Sequence, residues 1–456
     1  MTSKNSSSRY VRKIAIFGHY GHENLGDEAI ILACIQRYAD TIPEAEIVLF
    51  SSQPADSSAR YSLPAYPIEY FPKDTLTSSE QLDRERDFGV DHTGASATGD
   101  RPEPTVKRAL KRIPLLWSTL RFIKNIPNRL LRLYHEIGFL RDSRKTLKGI
   151  DLLVVTGSNQ FLDNFGGPTG FPLTLFKWAW LARSVNVPVA YVSVGAGPLD
   201  APLSHKLIRA ALRSATYLSF RDDASRQLVD PKNKFGGHVY PDLALGIDKP
   251  PTALETGSND LIIAINPMAV YDARYWYIKD TEKYQSYVNR MTELTEQILE
   301  SKFTPKLFAT QPKDENVIRD IIEKMIERGH SKSVSEAMFQ PLKTVNELLA
   351  FLQHAHAIIP TRFHGTVLGL WAEKPTIGIC YYRKAADILT EFGQGEYAFE
   401  LDDFSPNDVF GGLTRATDDY DAITAQIRAN KNSCRALLEE QFGKIRGLVD
   451  LPVSKQ

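Results

Sequence analysis

Residues 13–38 read KIAIFGHYGHENLGDEAIILACIQRY and decide the fold class. The first five residues form an apolar run typical of a buried strand, and apolar residues recur at helical spacing from Ala29 to Tyr38. A glycine-rich loop at 18–28 separates the two segments. A strand, a loop and a helix in this order predict the start of an α/β domain. EIVLFSS at 46–52 predicts the second strand of that domain.

Further apolar runs alternate with helical stretches along the chain, which predicts βαβ units and mostly parallel sheets. The predicted strands of the first half are DLLVVTG (151–157), VPVAYVSVG (187–195), TYLSF (216–220) and HVYPDLAL (238–245); those of the second half are DLIIAINPM (260–268), TPKLFAT (304–310), HAIIPT (356–361), PTIGICYY (375–382) and EYAFELDD (396–403). A segment rich in Pro, Gly and polar residues at 246–260 predicts a domain boundary. We expect an α/β protein with two Rossmann-like, doubly wound parallel-sheet domains, 1–248 and 260–417, facing a cleft. A C-terminal helix and tail at 418–456 follow.

Composition excludes several classes of protein. The 456 residues carry 55 Lys+Arg and 55 Asp+Glu, and a net charge of zero argues against a general nucleic-acid binder. Three scattered cysteines without CxxC spacing are incompatible with a disulfide framework and argue against a cysteine-rich zinc site. The sequence shows neither a signal-peptide pattern nor an apolar run long enough to span a membrane, which predicts a cytoplasmic protein.

An insertion at about 83–148 separates the second and third predicted strands of the first half. Residues 83–105 are polar, with several Gly, Pro and Asp, whereas 106–148 carry twelve Lys/Arg against two acids, a net charge of +10. Apolar groups recur between the basic residues at roughly helical spacing. A basic amphipathic segment of this kind is a candidate for peripheral contact with the inner face of a membrane. The alternative, which the sequence leaves open, is a helical insertion packed on the domain with a solvated basic face.

The loop at 18–28 is neither a dinucleotide fingerprint nor a P-loop, because its glycines lack the GxGxxG spacing and no Lys-Ser/Thr pair follows. Asn24, Asp27 and Glu28 stand at its lip, where backbone N–H groups and the helix dipole can hold a polar ligand. The two acids are equally compatible with a role in the first turn of the helix, where acids favour the dipole.

Four basic or titratable residues follow predicted strands of the two halves: Arg221, Arg362, His364 and Lys384. Parallel strands end at the same edge of a sheet, so these side chains are expected to converge on a cleft and to bind an anion. A structural ion pair of Arg221 with a neighbouring Asp remains an alternative. His354 and His356 lack a carboxylate at ligand spacing, so we predict no metal site. We also predict that Phe363 points back into the core and that His364, at a helix N-terminus, has a lowered pKa that keeps it titratable near neutral pH.

Five segments resemble the polysaccharide pyruvyl transferases in order and spacing: GHYGHENLGDEAI, SVGAGPL, SFRDDASRQL, PDLAL and PTRFHGTVLGLWAEKPTIGICYYRK. The resemblance implies a GT-B-like fold and transfer of a pyruvyl group from phosphoenolpyruvate (PEP) to a sugar hydroxyl or diol of a cell-surface glycan. It implies PEP as donor substrate and no cofactor. The chain departs from the family pattern at TGSNQFLD (156–163), where a triple glycine is common, and in its long insertion. Both departures put the acceptor in doubt.

The resemblance also implies roles for individual residues. Arg221, Arg362 and Lys384 would bind PEP, and Arg362 and His364 would be catalytic, with His364 as general acid/base. Acceptor binding would fall to Asn24, Asp27, Glu28 and Asp163, with a glycan or lipid-linked saccharide as partner. Two alternatives stay open, a GT-B-type glycosyltransferase that uses a nucleotide sugar and a non-catalytic glycan- or membrane-associated scaffold. Neither the acceptor, the choice between ketal and enolpyruvyl ether, nor the oligomeric state follows from the sequence.

Overall fold

The computed structural model describes residues 12–21, 23–70, 126–164, 166–248, 260–276 and 278–450. Within these residues the first half forms a seven-stranded parallel sheet in the order β3-β2-β1-β4-β5-β6-β7. Its strands are β1 (Lys13–Phe17), β2 (Glu46–Ser51), β3 (Ala65–Pro67), β4 (Leu152–Val155), β5 (Val189–Val194), β6 (Ala215–Phe220) and β7 (His238–Val239). Its helices are α1 (Leu25–Thr41), α2 (Pro54–Tyr61), α3 (Ile126–Leu147), α4 (Phe171–Ser184), α5 (Pro202–Leu212) and α6 (Asp223–Val229).

The second half repeats this topology in a smaller sheet. Four parallel strands stand in the order β10-β9-β8-β11, and β12 pairs with β13 beside them. The strands are β8 (Leu261–Asn266), β9 (Phe303–Phe308), β10 (Phe339–Gln340), β11 (Ala357–Pro360), β12 (Gly378–Cys380) and β13 (Ala398–Glu400). The helices are α7 (Thr281–Leu299), α8 (Asp314–Glu327), α9 (Lys332–Glu336), α10 (Val345–His354), α11 (Phe363–Trp371), α12 (Arg383–Glu391), α13 (Pro406–Asp418) and α14 (Tyr420–Asp450).

The two sheets therefore confirm the doubly wound α/β architecture predicted from the alternating pattern. Central strands such as β4 and β5 are buried along their whole length, as expected for parallel strands covered by helices on both faces. Residues 71–125 lie outside the described residues, and they include the polar part and the first basic part of the insertion predicted at about 83–148. Residues 249–259 of the predicted domain boundary also lie outside them. None of the helices in the part of the chain that the structure describes is long and apolar enough to cross a membrane.

Some predicted bounds are wrong for local reasons. The helix predicted from Ala29 begins at Leu25, because the Asn24 side chain accepts a hydrogen bond from Gly26 N and caps the helix. The strand predicted at 238–245 ends at Val239. Pro241 cannot donate to a sheet, and Asp242 caps a 3₁₀ turn at Leu243–Gly246 by accepting from Ala244 N.

One hydrophobic cluster runs through both halves. It joins Ile14 and Ile16 of β1 and the buried face of α1 to the strands and helices of the second half, α11 among them. A separate cluster fills the other face of the first sheet, under α3, α4 and α5. Helix α14 then returns to the first half, where Gln441 Nε2 donates to Ser219 Oγ at 2.8 Å and Arg435 Nη2 to Asp248 Oδ1 at 2.7 Å. The halves are thus joined by a shared core and by a helix that contacts both.

Candidate active site

The two sheets present their switch points to each other. Strand order reverses between β1 and β4 in the first sheet and between β8 and β11 in the second, and ligands of doubly wound folds bind outside the strands at such points. Helix α1 follows β1 and helix α11 follows β11, so two helix N-termini meet there. Leu25 N at the start of α1 donates to Thr310 O, beyond β9, at 2.9 Å.

His364 lies in the first turn of α11, directly against α1. Its Nδ1 is 3.9 Å from Asp27 Oδ1, and its Nε2 is 4.0 Å from Asp242 Oδ2. A Cβ on Gly26 would lie 2.5 Å from the His364 Cβ and Nδ1, so only glycine allows this approach. Nε2 has no hydrogen-bond partner among the described residues. The imidazole therefore lies between two carboxylates, both beyond hydrogen-bond distance.

Arg221 reaches the same place from the end of β6. Its side chain is 3% exposed, and Nη1 donates to Asp242 Oδ2 at 3.3 Å. Nε lies 3.6 Å from Asp222 Oδ2, beyond hydrogen-bond distance. Within the described part of the chain, Nε and Nη2 are both buried without a hydrogen-bond partner. A buried guanidinium with two unpaired donors is a site for an anion.

Lys384 and Phe363 complete the cationic side of the site. The Phe363 ring lies 4.5 Å from Arg221 Cζ and 4.9 Å from Lys384 Nζ, measured to the ring centroid. Phe363 packs against the shared hydrophobic cluster, as predicted, and its half-buried ring also faces both cations. Attraction between the cations and the π face explains this placement.

Arg362 is engaged differently. Its Nε and Nη2 donate to Asp314 Oδ2 and Oδ1 at 2.8 and 2.6 Å, a bidentate pair with a fully buried carboxylate at the start of α8. Two of its nitrogens are thus committed to linking α11 with α8, and Nη1 is the group left to meet a ligand.

Burial and crowding shift the pKa values of the site in opposite directions. Burial, with the charges of Arg221, Lys384 and Arg362, lowers the pKa of His364 well below its usual value. The prediction of titration near neutral pH is therefore wrong for the ligand-free protein, whose His364 is neutral. Burial and the charge of Arg221 lower the pKa of Lys384 to about 7. Burial and the neighbouring Glu28 raise the pKa of Asp27 to about 7.

The residues predicted to bind an acceptor separate into two groups. Asn24 Nδ2 donates to Asp27 Oδ2 at 2.6 Å, which places both beside His364. Glu28 is buried and accepts from Gly21 N and Tyr61 Oη, so it ties the loop after β1 to α2. Asp163 accepts from Asp200 N and Ala201 N at the start of α5. Both of these carboxylates, Glu28 and Asp163, are taken up by hydrogen bonds within the protein.

Sequence reasoning missed Asp242, which contacts both Arg221 and His364. It stands in the PDLAL segment, where an Asp after a proline at the end of a strand was a usable signal. Burial raises the pKa of Asp242, and the Arg221 charge opposes that shift. Asp314 was missed as well, because nothing local in the sequence shows that it pairs with a residue 48 positions away.

Fold and site together define a GT-B-like protein with a cationic, partly unpaired centre between two Rossmann-like halves. The chain matches the family model of polysaccharide pyruvyl transferase over residues 24–382 and belongs to that family. No curated protein matches its sequence.

Solved structures share this fold at low sequence identity. HepE from Anabaena, in complex with UDP and glucose, superposes with a TM-score of 0.53 at 9% identity, covering 96% of this chain and 99% of that one. MnaA from S. aureus, solved with UDP, gives 0.52 at 11% identity, covering 98% and 99%. A putative UDP-N-acetylglucosamine 2-epimerase from Listeria monocytogenes gives 0.51 at 9%, covering 95% and 98%. Likeness at this level establishes the fold alone.

Proposed function

We propose that the protein transfers a pyruvyl group from PEP to a sugar hydroxyl or diol of a cell-surface glycan or its lipid-linked precursor, releasing phosphate. Family membership supports the reaction class. The observation that carries the donor assignment is the Arg221 guanidinium, buried with two unpaired donors beside Lys384 and His364. PEP brings a carboxylate and a phosphate, which supply the acceptors and the negative charge that this centre lacks.

Donor binding would use three cations. Arg221 would donate from Nε and Nη2 to one of the two anionic groups of PEP, its carboxylate or its phosphate. The other group would bind Lys384 and Nη1 of Arg362. Fixed positive charges in a buried site also stabilise the negative charge that develops on departing phosphate. The ammonium of Lys384, with a pKa near 7 in the free protein, becomes more strongly protonated when an anion binds.

Proton transfer would use His364 and Asp27. The sugar oxygen attacks C2 of PEP, a proton is delivered to the methylene C3, and the bond from C2 to the phosphate oxygen breaks. The second oxygen of a diol then bonds to C2 in place of phosphate and closes the ketal, so that one hydroxyl proton ends on the new methyl group and the other on phosphate. With a single hydroxyl, C3 gives its proton back and an enolpyruvyl ether forms. Asp27, with a pKa of about 7, is poised to take a hydroxyl proton at neutral pH. His364 is neutral before binding, and the incoming anion raises its pKa so that it can act as the acid.

The decisive test is His364→Gln against His354→Gln. His354 closes α10 before β11, whereas His364 follows β11, so the two histidines stand at opposite ends of one strand. Phosphate release from PEP with a panel of saccharides bearing free 4,6-diols should fall about 10²- to 10⁴-fold in the first variant only. PEP binding by calorimetry should survive in His364→Gln and be lost in Arg221→Gln. Equal turnover in the two histidine variants would contradict the role of His364.

The glycosyltransferase alternative has less support from the geometry. A diphosphate on the N-terminus of α1 would need free N–H groups, but Leu25 N is bonded to Thr310 O and Gly26 N to Asn24 Oδ1. Asp27 and Glu28 in that turn would also repel it. Calorimetry with PEP and, separately, with a set of nucleotide sugars distinguishes the two functions. We expect measurable binding of PEP and no measurable binding of the nucleotide sugars.

A further inference from the structure

Helix α3 carries an apolar face that the rest of the described chain leaves uncovered. Its inner side packs on the first domain through Phe139, Leu140 and Leu147. Its outer side exposes four large apolar residues: Leu131 (55%), Leu133 (55%), Tyr134 (73%) and Ile137 (58%). Four such side chains within two turns form a contiguous patch, and contiguous exposed patches mark interaction surfaces.

The same side of α3 becomes basic toward the C-terminus. Arg141 and Lys145 follow Ile137 at steps of four, and Lys148 comes directly after the helix, all exposed. Lys145 Nζ pairs with Asp142 Oδ1 at 2.8 Å. Arg144 is also exposed but donates to Ser184 Oγ and O at the end of α4. Glu136 is turned inward, where it accepts from Lys177 Nζ at 2.6 Å, and Asp142 is the acid left on the exposed surface. We call Leu131, Leu133, Tyr134, Ile137, Arg141, Lys145 and Lys148 the outer face of α3. It is apolar at one end and cationic at the other.

We propose that the outer face of α3 docks on an anionic membrane surface. Apolar side chains enter the interface between headgroups and acyl chains while Lys and Arg meet anionic headgroups, which is the arrangement of an interfacial helix. A second copy of the chain would oppose like charges on this face. A membrane that contains anionic lipids suits both ends of the outer face of α3, because its acyl chains accept the apolar end and its headgroups attract the cationic end.

The test is sedimentation of the full-length protein with vesicles of phosphatidylcholine containing about a quarter phosphatidylglycerol. One variant combines Leu133→Ser, Tyr134→Ser and Ile137→Ser, and another combines Arg141→Glu, Lys145→Glu and Lys148→Glu. We expect the first to lose at least about tenfold in partitioning. The second should lose at least roughly a hundredfold at low salt, since removing each basic charge costs about fivefold and the Glu that replaces it adds repulsion. The matched control combines Ile278→Ser, Val334→Ser and Leu437→Ser, which are exposed apolar residues elsewhere, and it should bind as the wild type does.

Several results would overturn the proposal. One is that both outer-face variants bind vesicles as the wild type does. Another is that the wild type binds equally well to vesicles of pure phosphatidylcholine. A third is that the wild type does not bind vesicles but forms a dimer in solution, which the apolar variant dissociates. Circular dichroism melts of all variants establish that loss of binding is not loss of folding. The assay contains neither PEP nor a saccharide, so its outcome is independent of the proposed reaction.

Discussion

Asp242 sets the charge balance at the centre of the site. Its carboxylate lies 3.3 Å from Arg221 Nη1 and 4.0 Å from His364 Nε2, and it is almost completely buried. Its negative charge also raises the pKa of Lys384, against burial and Arg221, which lower it. One carboxylate thus orients the guanidinium and helps keep the lysine protonated.

Replacing Asp242 by Asn should therefore shift PEP binding to lower pH. Without the carboxylate the pKa of Lys384 falls below about 7, so the ammonium is lost earlier as pH rises. We expect the midpoint of the pH dependence of the PEP dissociation constant, measured by calorimetry, to move down by about half a unit to one unit. Asp230→Asn is the matched control, because Asp230 is equally buried but serves the backbone amides of Lys234 and Phe235. A midpoint that stays in place would remove Asp242 from this role.

PEP affinity of the wild type should weaken as pH rises through neutrality. Above pH 7 Lys384 loses its positive charge and Asp27 gains a negative one, since both pKa values lie at about 7. Both changes oppose an anion, and each group alone gives roughly a tenfold weakening between about pH 6 and 8. Lys384→Arg, which stays charged, and Asp27→Asn should each flatten the profile. A wild-type profile that is already flat over this range would contradict the shifted pKa values.

Sequence could identify Arg221, Arg362, His364 and Lys384 as a converging set, because each follows a predicted strand, and it placed Asn24 and Asp27 at the lip of the loop after β1. It could not distinguish those from Glu28 and Asp163. A polar residue at the lip of a loop either faces a ligand or is hydrogen-bonded within the protein. Which of the two holds depends on partners such as Tyr61 Oη and Ala201 N. These partners lie 33 and 38 positions away, and local pattern does not report them.

At the scale of elements, the contact between α1 and α11 depends on the absence of a side chain. Gly26→Ala should displace the His364 imidazole, since the new Cβ would lie 2.5 Å from its Nδ1. We expect turnover to fall by about tenfold or more while PEP binding through Arg221 persists. Gly443→Ala in α14 is the control, because nothing lies within 4 Å of its added Cβ. That change should stabilise the protein by about 0.5–1 kcal/mol in urea unfolding. Equal turnover in the two variants would mean that the helices adjust without moving His364.

Long periodic elements were predicted well and short ones were not. The C-terminal helix predicted within 418–456 is α14 (Tyr420–Asp450), and the helical spacing from Ala29 to Tyr38 belongs to α1 (Leu25–Thr41). Helix α2 and strand β3, of eight and three residues, escaped prediction. A few residues carry too little periodicity to identify an element, and β3 forms only because β2 offers its edge.

At the scale of the whole molecule, we expect the two halves to unfold together. One cluster joins β1 and α1 to the second half, and Trp371 Nε1 donates across the halves to Ile247 O at 2.9 Å. Scanning calorimetry should therefore give one transition, with calorimetric and van't Hoff enthalpies in a ratio near one. Two resolved transitions would show that the shared core does not couple the halves.

The repeat of two doubly wound halves was predictable from alternating strands and helices. The shared core and the path of α14 were not. Periodicity shows which face of a helix is apolar, but it does not show which domain covers that face. Gln441 illustrates the limit, because its partners Ser193 and Ser219 lie more than 200 positions earlier.

A core that runs through both halves restricts how molecules enter and leave. Swinging the halves apart would strip apolar contacts of α1 from the second domain and break the bond between Leu25 N and Thr310 O. Each catalytic cycle would then have to repeat that loss of burial. Under the proposed function, donor, acceptor and phosphate would therefore have to enter and leave while the two halves stay joined.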